Sequence, residues 1–227
     1  MWLLVLLAVL AALGTDGIIR SHPRGQFRRP DDTALYLFLP VLFTIAVAVF
    51  LEMTVSGYWA IPAGLGMAVP IGLVAHAEYH SVDRDRPEYA TARLLLNMAT
   101  YLTAFLFFAT IYGRGPELGL PARAVLVGVA SLLLAVDVLR EEAMDAPRTL
   151  IYALAVGALL GQVAWAVHFL PLEAMAAAVL HLLAFYLVVG IMHHYLGERL
   201  TLRTASEFWG IASLGMALVV VAHRFLA

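Results

Sequence analysis

In the stretch "GLVAHAEYH", His76 and His80 stand four residues apart. Side chains at that spacing share a helix face, so neutral imidazoles there could grip one divalent metal ion, zinc or iron. Glu78, Asp137 or Glu141 would serve as a further ligand. His193 and His194, in "VGIMHHYLGE", are expected at the same membrane level, and two histidines on facing helices could ligate a b-type haem. The competing reading is a solvated interfacial cluster, because HxxxH without a catalytic motif beside it is common. No metal or haem is the simpler expectation.

A second set lies within apolar sequence. In "QVAWAVHFLPLEAMAAAVLH", Gln162 and His181 are each nine residues from the corner at Pro171 and Leu172. In antiparallel helices both then lie about 14 Å from the corner. Equal depth makes a Gln162–His181 hydrogen bond the expected arrangement, as structural glue, with ligand contact as the alternative. Trp165 falls on the same side of its helix as Gln162. Asn97 and Tyr101, one turn apart, are expected to bond to a neighbouring helix or to line a polar pocket. Glu52, Glu173 and His168 fall at outer helix ends, and Asp137, Glu141, Glu142, His193 and Glu198 near inner ends, where headgroups and water are within reach.

The elements that carry these residues follow from composition. Of 227 residues, 63% are hydrophobic and 13% charged, and the mean hydropathy is +0.88. A soluble domain of this size cannot hide so much apolar surface, so the chain is read as a membrane protein. There is no cysteine, which removes disulfides, thiolate metal sites and covalent c-type haem. There is no lysine either, which excludes a rhodopsin-like retinal Schiff base. The net charge of −2 gives no hint of nucleic acid.

A helix needs about 20 apolar residues to cross the hydrocarbon layer. Eight runs qualify, near 2–19, 33–54, 58–77, 92–112, 122–139, 149–169, 173–195 and 206–225. The expected fold is therefore all-α, a polytopic transmembrane bundle in one domain. With the amino terminus outside, eleven arginines fall in inside loops and only Arg114, Arg123 and Arg224 outside. The alternation holds across all eight spans and places both termini outside. The first span lacks the basic start of a secretory signal and is read as a retained helix.

The third span contains Pro62 and Pro70 with three glycines, and is expected to kink or break inside the bundle. Gly157 and Gly161 form GxxxG in the sixth span, with Ala153 one turn earlier, the signature of a close helix contact. The halves 1–118 and 119–227 could be a parallel four-plus-four repeat. "FLEMTV" matches "FLPLEAM" at the outer corners, and histidines end the third helix of each half.

The segments "WAVHFLPL", "HHYLGERLTLR" and "EFWGI" resemble the carboxy-terminal half of small multi-pass bacterial membrane proteins known only as domains of unknown function. The resemblance covers about a third of the chain. It implies a bacterial cytoplasmic membrane and a helical bundle, and supplies no activity and no functional residues. The serine, aspartate and triple-histidine pattern of ceramidase-like hydrolases is missing. Three functions stay open: a non-catalytic subunit or lipid-organising scaffold, with a membrane protein or a second copy as partner; a metal- or haem-dependent enzyme using the inner histidines and acids; and a transporter of small solutes or lipids around the third span.

Overall fold

The computed structural model describes residues 2–23, 31–83, 85–114, 118–140 and 146–226. Among them there is no β-strand. Eight α-helices follow one another: α1 (Trp2–Arg20), α2 (Asp31–Thr54), α3 (Ala60–Ser81), α4 (Tyr89–Gly113), α5 (Leu120–Leu139), α6 (Ala146–His168), α7 (Ala174–Leu196) and α8 (Leu202–Leu226). The expected all-α architecture is observed, each helix covering one expected span. Among the described residues seven of them, α1 to α7, are long and apolar enough to cross a membrane by length and composition. Arg24, Arg28, Arg29, Arg84, Glu141 and Glu142 lie outside the described residues.

Helix ends follow local chemistry. α1 stops before His22 and Pro23, since proline disfavours helix in the residue that precedes it. Between α2 and α3 the chain turns at Gly57, whose φ of +65° is costly for any residue with a Cβ. Inside α2, Pro40 cannot donate a backbone bond, and the Thr44 hydroxyl donates back to the Pro40 carbonyl at 2.7 Å.

α3 does not break, contrary to the sequence expectation. Pro62 is its third residue, where a backbone N–H has no intrahelical partner to lose. Pro70 lies mid-helix, and its ring removes a single bond without ending the run. Nor is α3 enclosed, for Ile61, Leu65, Val69 and Leu73 are all more than half exposed.

The chain forms two compact units, residues 1–103 and 104–227. In the first, α1 packs on α2 and both touch α3, around Ile19, Leu39, Phe43 and Val74. In the second, α5 packs on α6, and α7 contacts α5, α6 and α8. Its centre holds Phe108, Val127, Leu134, Leu160, Phe185 and His181, all fully buried.

The α5–α6 contact is backbone against backbone. A Cβ added to Gly157 would lie 2.7 Å from the Gly128 carbonyl oxygen, and one added to Gly161 would lie 3.1 Å from that of Ala124. The GxxxG pair thus makes the close contact its spacing suggested, with Gly128 as the partner. In the α7–α8 contact, the Phe208 ring occupies the space where Gly190 would carry a side chain.

Candidate functional site

His181 sits seven residues into α7, about 10 Å along the axis, and is 0% exposed. Its Nε2 lies 3.1 Å from the Leu160 carbonyl of α6. A carbonyl can only accept, so Nε2 carries the proton and Nδ1 is left as an acceptor. Tyr112, in the last turn of α4, donates its hydroxyl to Nδ1 at 3.0 Å. The Phe108 ring meets the imidazole edge-on at 5.0 Å and Phe185 at 6.2 Å. One side chain thereby ties three helices together, α4, α6 and α7. Neither nitrogen has a lone pair to spare for a metal.

The expected Gln162–His181 bond is therefore not made. Gln162 points away, is exposed, and has no hydrogen-bond partner among the described residues. α6 turns its Leu160 face, not its Gln162 face, toward α7. Trp165 is 46% exposed on the same outer side as Gln162. At that end of the helices the Arg123 guanidinium lies 5.6 Å above the Tyr112 ring and 3.4 Å from Nδ1 of His168.

In the first unit, the polar groups gather around the end of α3. His76 is exposed, and its ring meets that of His80 edge-on at 4.5 Å. His80 Nδ1 is buried with no hydrogen-bond partner among the described residues. His22 is buried against Tyr79 at 4.7 Å. Glu78 is 0% exposed and accepts from the Ser81 hydroxyl at 3.2 Å. Asp16 joins α1 to α2: it takes Arg20 Nε at 2.7 Å and the Thr33 hydroxyl at 2.6 Å. Asn97 and Tyr101 are half-buried on α4.

In the second unit, Asp137 is buried beside Arg140, with its Oδ1 3.1 Å from Nη2 one turn on. The His193 and His194 rings lie 5.7 Å apart. His194 donates Nδ1–H to the Gly190 carbonyl at 2.9 Å and packs on Phe208 at 5.2 Å. Among the described residues no three His, Asp or Glu side chains converge as a metal shell requires. Glu141, offered as a further ligand, lies outside them.

Sequence reasoning missed the Tyr112–His181 bond, the Asp16 link and the full burial of Glu78. For the first, only depth was legible: Tyr112 ends the fourth span on the side of the α6–α7 corner, but nothing in the sequence aims His181 toward it. No curated protein and no solved structure matches the chain. The family model described as "Protein of unknown function (DUF5656)" matches residues 1–222, far beyond the third of the chain on which the resemblance rested, and the protein belongs to that family.

Proposed function

We propose that the chain is a polytopic protein of a bacterial cytoplasmic membrane, crossing it eight times with both termini outside. It acts by association, as a subunit or lipid-organising scaffold, rather than by catalysis. The observation that carries this reading is how polar and apolar groups are divided. His181 is wholly spent on Tyr112 and Leu160, while Leu3, Leu65, Val125, Ile151 and Leu214 each stand more than 60% exposed on five different helices. Hydrocarbon accommodates such a surface and water does not. The arginine distribution supports the orientation.

The absence of cysteine makes the test direct, since any introduced thiol is unique. In sealed cells, Ser56→Cys and Ala227→Cys should react with an impermeant maleimide, and Thr201→Cys only after lysis. Labelling of Thr201→Cys from outside, or release of the protein from membranes by alkaline wash, would sink the reading.

A metal at His76 and His80 is the second reading. It is favoured by their ring contact and by the unpartnered Nδ1 of His80. Elemental analysis of protein purified from its own membrane decides it. One metal per chain, lost in the His76→Ala/His80→Ala variant, would put the enzyme reading first.

A further inference from the structure

Beside the α5–α6 crossing an apolar groove of about 450 Å³ lies open. Its floor is Gly128, Gly157 and Gly161, and Val125, Leu154 and Trp165 stand along it. The small residues are already used by the contact between α5 and α6, so the groove is what that contact leaves on its outer side. It follows α5 from Pro121 to Leu132, eleven steps of about 1.5 Å or about 16 Å. Its lining is almost wholly apolar, a surface along which an acyl chain can lie.

Gln162 lines this groove. It is exposed, has no hydrogen-bond partner among the described residues, and lies six residues, about 9 Å, from the His168 end of α6. α6 has 23 residues and is about 34 Å long, against about 30 Å of hydrocarbon, so Gln162 is below the headgroups on the membrane reading, on which this inference rests. An amide facing hydrocarbon without a partner is strongly unfavourable. Toward the helix end stand Trp165, a residue type suited to the interface, and then His168 with Arg123 at 3.4 Å. The groove thus offers an apolar trough with a hydrogen-bond donor at depth and an aromatic ring nearer the interface, and a cation stands beyond its lining at the His168 end.

We propose that this groove binds one phospholipid. An acyl chain lies along the glycine floor, an ester carbonyl accepts the Gln162 amide N–H, and the phosphate sits beside Arg123 and His168. A second copy of the chain is the poorer occupant, because two concave surfaces cannot fill each other.

The test uses full-length protein reconstituted in phosphatidylcholine vesicles, extracted in mild detergent and weighed intact by native mass spectrometry. Wild type should retain one phosphatidylcholine per chain. Gln162→Leu should lower retention about fivefold, the equivalent of one net hydrogen bond of about 1 kcal/mol. Ala158→Phe, which fills the groove from an exposed position, should abolish it. Thermal melts of the variants matching wild type establish that both fold. Equal retention by all three proteins, or none by wild type, overturns the assignment. A dimer that Ala158→Phe dissociates would give the groove to a second copy. Protein that stays with membranes after alkaline wash but holds no lipid sinks only the groove, whereas protein released by the wash sinks the membrane reading itself.

Discussion

Replacing Gly157 by alanine tests the α5–α6 crossing at its tightest point. The new methyl would meet the Gly128 carbonyl oxygen at 2.7 Å and Leu132 Cβ at 2.8 Å. Both obstacles belong to backbone or its first side-chain atom, so no rotamer change relieves them. Ordinary contact begins near 3.4 Å, and the helices must part by about 0.7 Å. A gap of that size forfeits about a quarter to a half of each dispersion contact across the crossing. Overpacking of this kind costs about 1–3 kcal/mol, but alanine also raises helix propensity by about 1 kcal/mol. Gly64 supplies the correction, because a Cβ there has nothing within 4 Å. Gly157→Ala should therefore fall below Gly64→Ala by about 1–3 kcal/mol. For a chain of this size that is about 2–12 °C in Tm, read by circular dichroism in mild detergent. Gly128→Ala and Gly161→Ala, with closest approaches of 3.0 and 3.1 Å, should lie between them. Equal melting of Gly157→Ala and Gly64→Ala would refute the backbone contact.

Two further substitutions probe the polar links. Tyr112→Phe leaves His181 Nδ1 as a buried acceptor without a donor; interhelical bonds in membranes average about 0.6 kcal/mol and unsatisfied buried groups cost about 1–3, so a loss near 1 kcal/mol is expected in the same melt. Gln162→Leu should leave the melt unchanged, and a drop matching that of Tyr112→Phe would give Gln162 the structural role assigned to His181. Asp16→Asn should cost no more than about 1 kcal/mol, because the Asp16 and Arg20 side chains are 28% and 34% exposed and water screens them. A larger loss would mean that the α1–α2 contact depends on that carboxylate.

Hydropathy marks the spans because hydrocarbon thickness fixes how long an apolar run must be. It places helix ends less well. α4 begins at Tyr89 rather than 92 and α6 at Ala146 rather than 149, since backbone hydrogen bonding continues through a polar turn that hydropathy scores as loop. Proline spacing misleads in α3 for a related reason: Pro62 falls in the first turn, which costs nothing, yet a count of breakers weighs it like Pro70. GxxxG reveals that α6 approaches a neighbour but not which one; Gly128 is a lone glycine in α5 with no pattern of its own. The partner of His181 is hidden more deeply. Tyr112 is 69 residues away in sequence, and α7 is apolar on every side, so no stripe shows which way His181 points.

The opposite fates of Gln162 and His181 follow from helix geometry once a single contact is known. Successive residues of α6 are about 100° apart, which puts positions 160 and 162 about 200° from each other. If the Leu160 carbonyl faces His181, as its 3.1 Å bond requires, then Gln162 must look out of the other side of α6. Depth alone allowed the two polar residues to pair; rotation about the axis forbids it. His181 is thereby a fastener among helices of one chain. Gln162 is a hydrogen-bonding group turned toward whatever surrounds that chain. In lipid, such a group is tolerated only when something outside satisfies it. The part of this surface with a claim on an external molecule is consequently the outer face of α5 and α6, not the histidines at the far end of the spans, and the association proposed for the protein has its first place to be sought there.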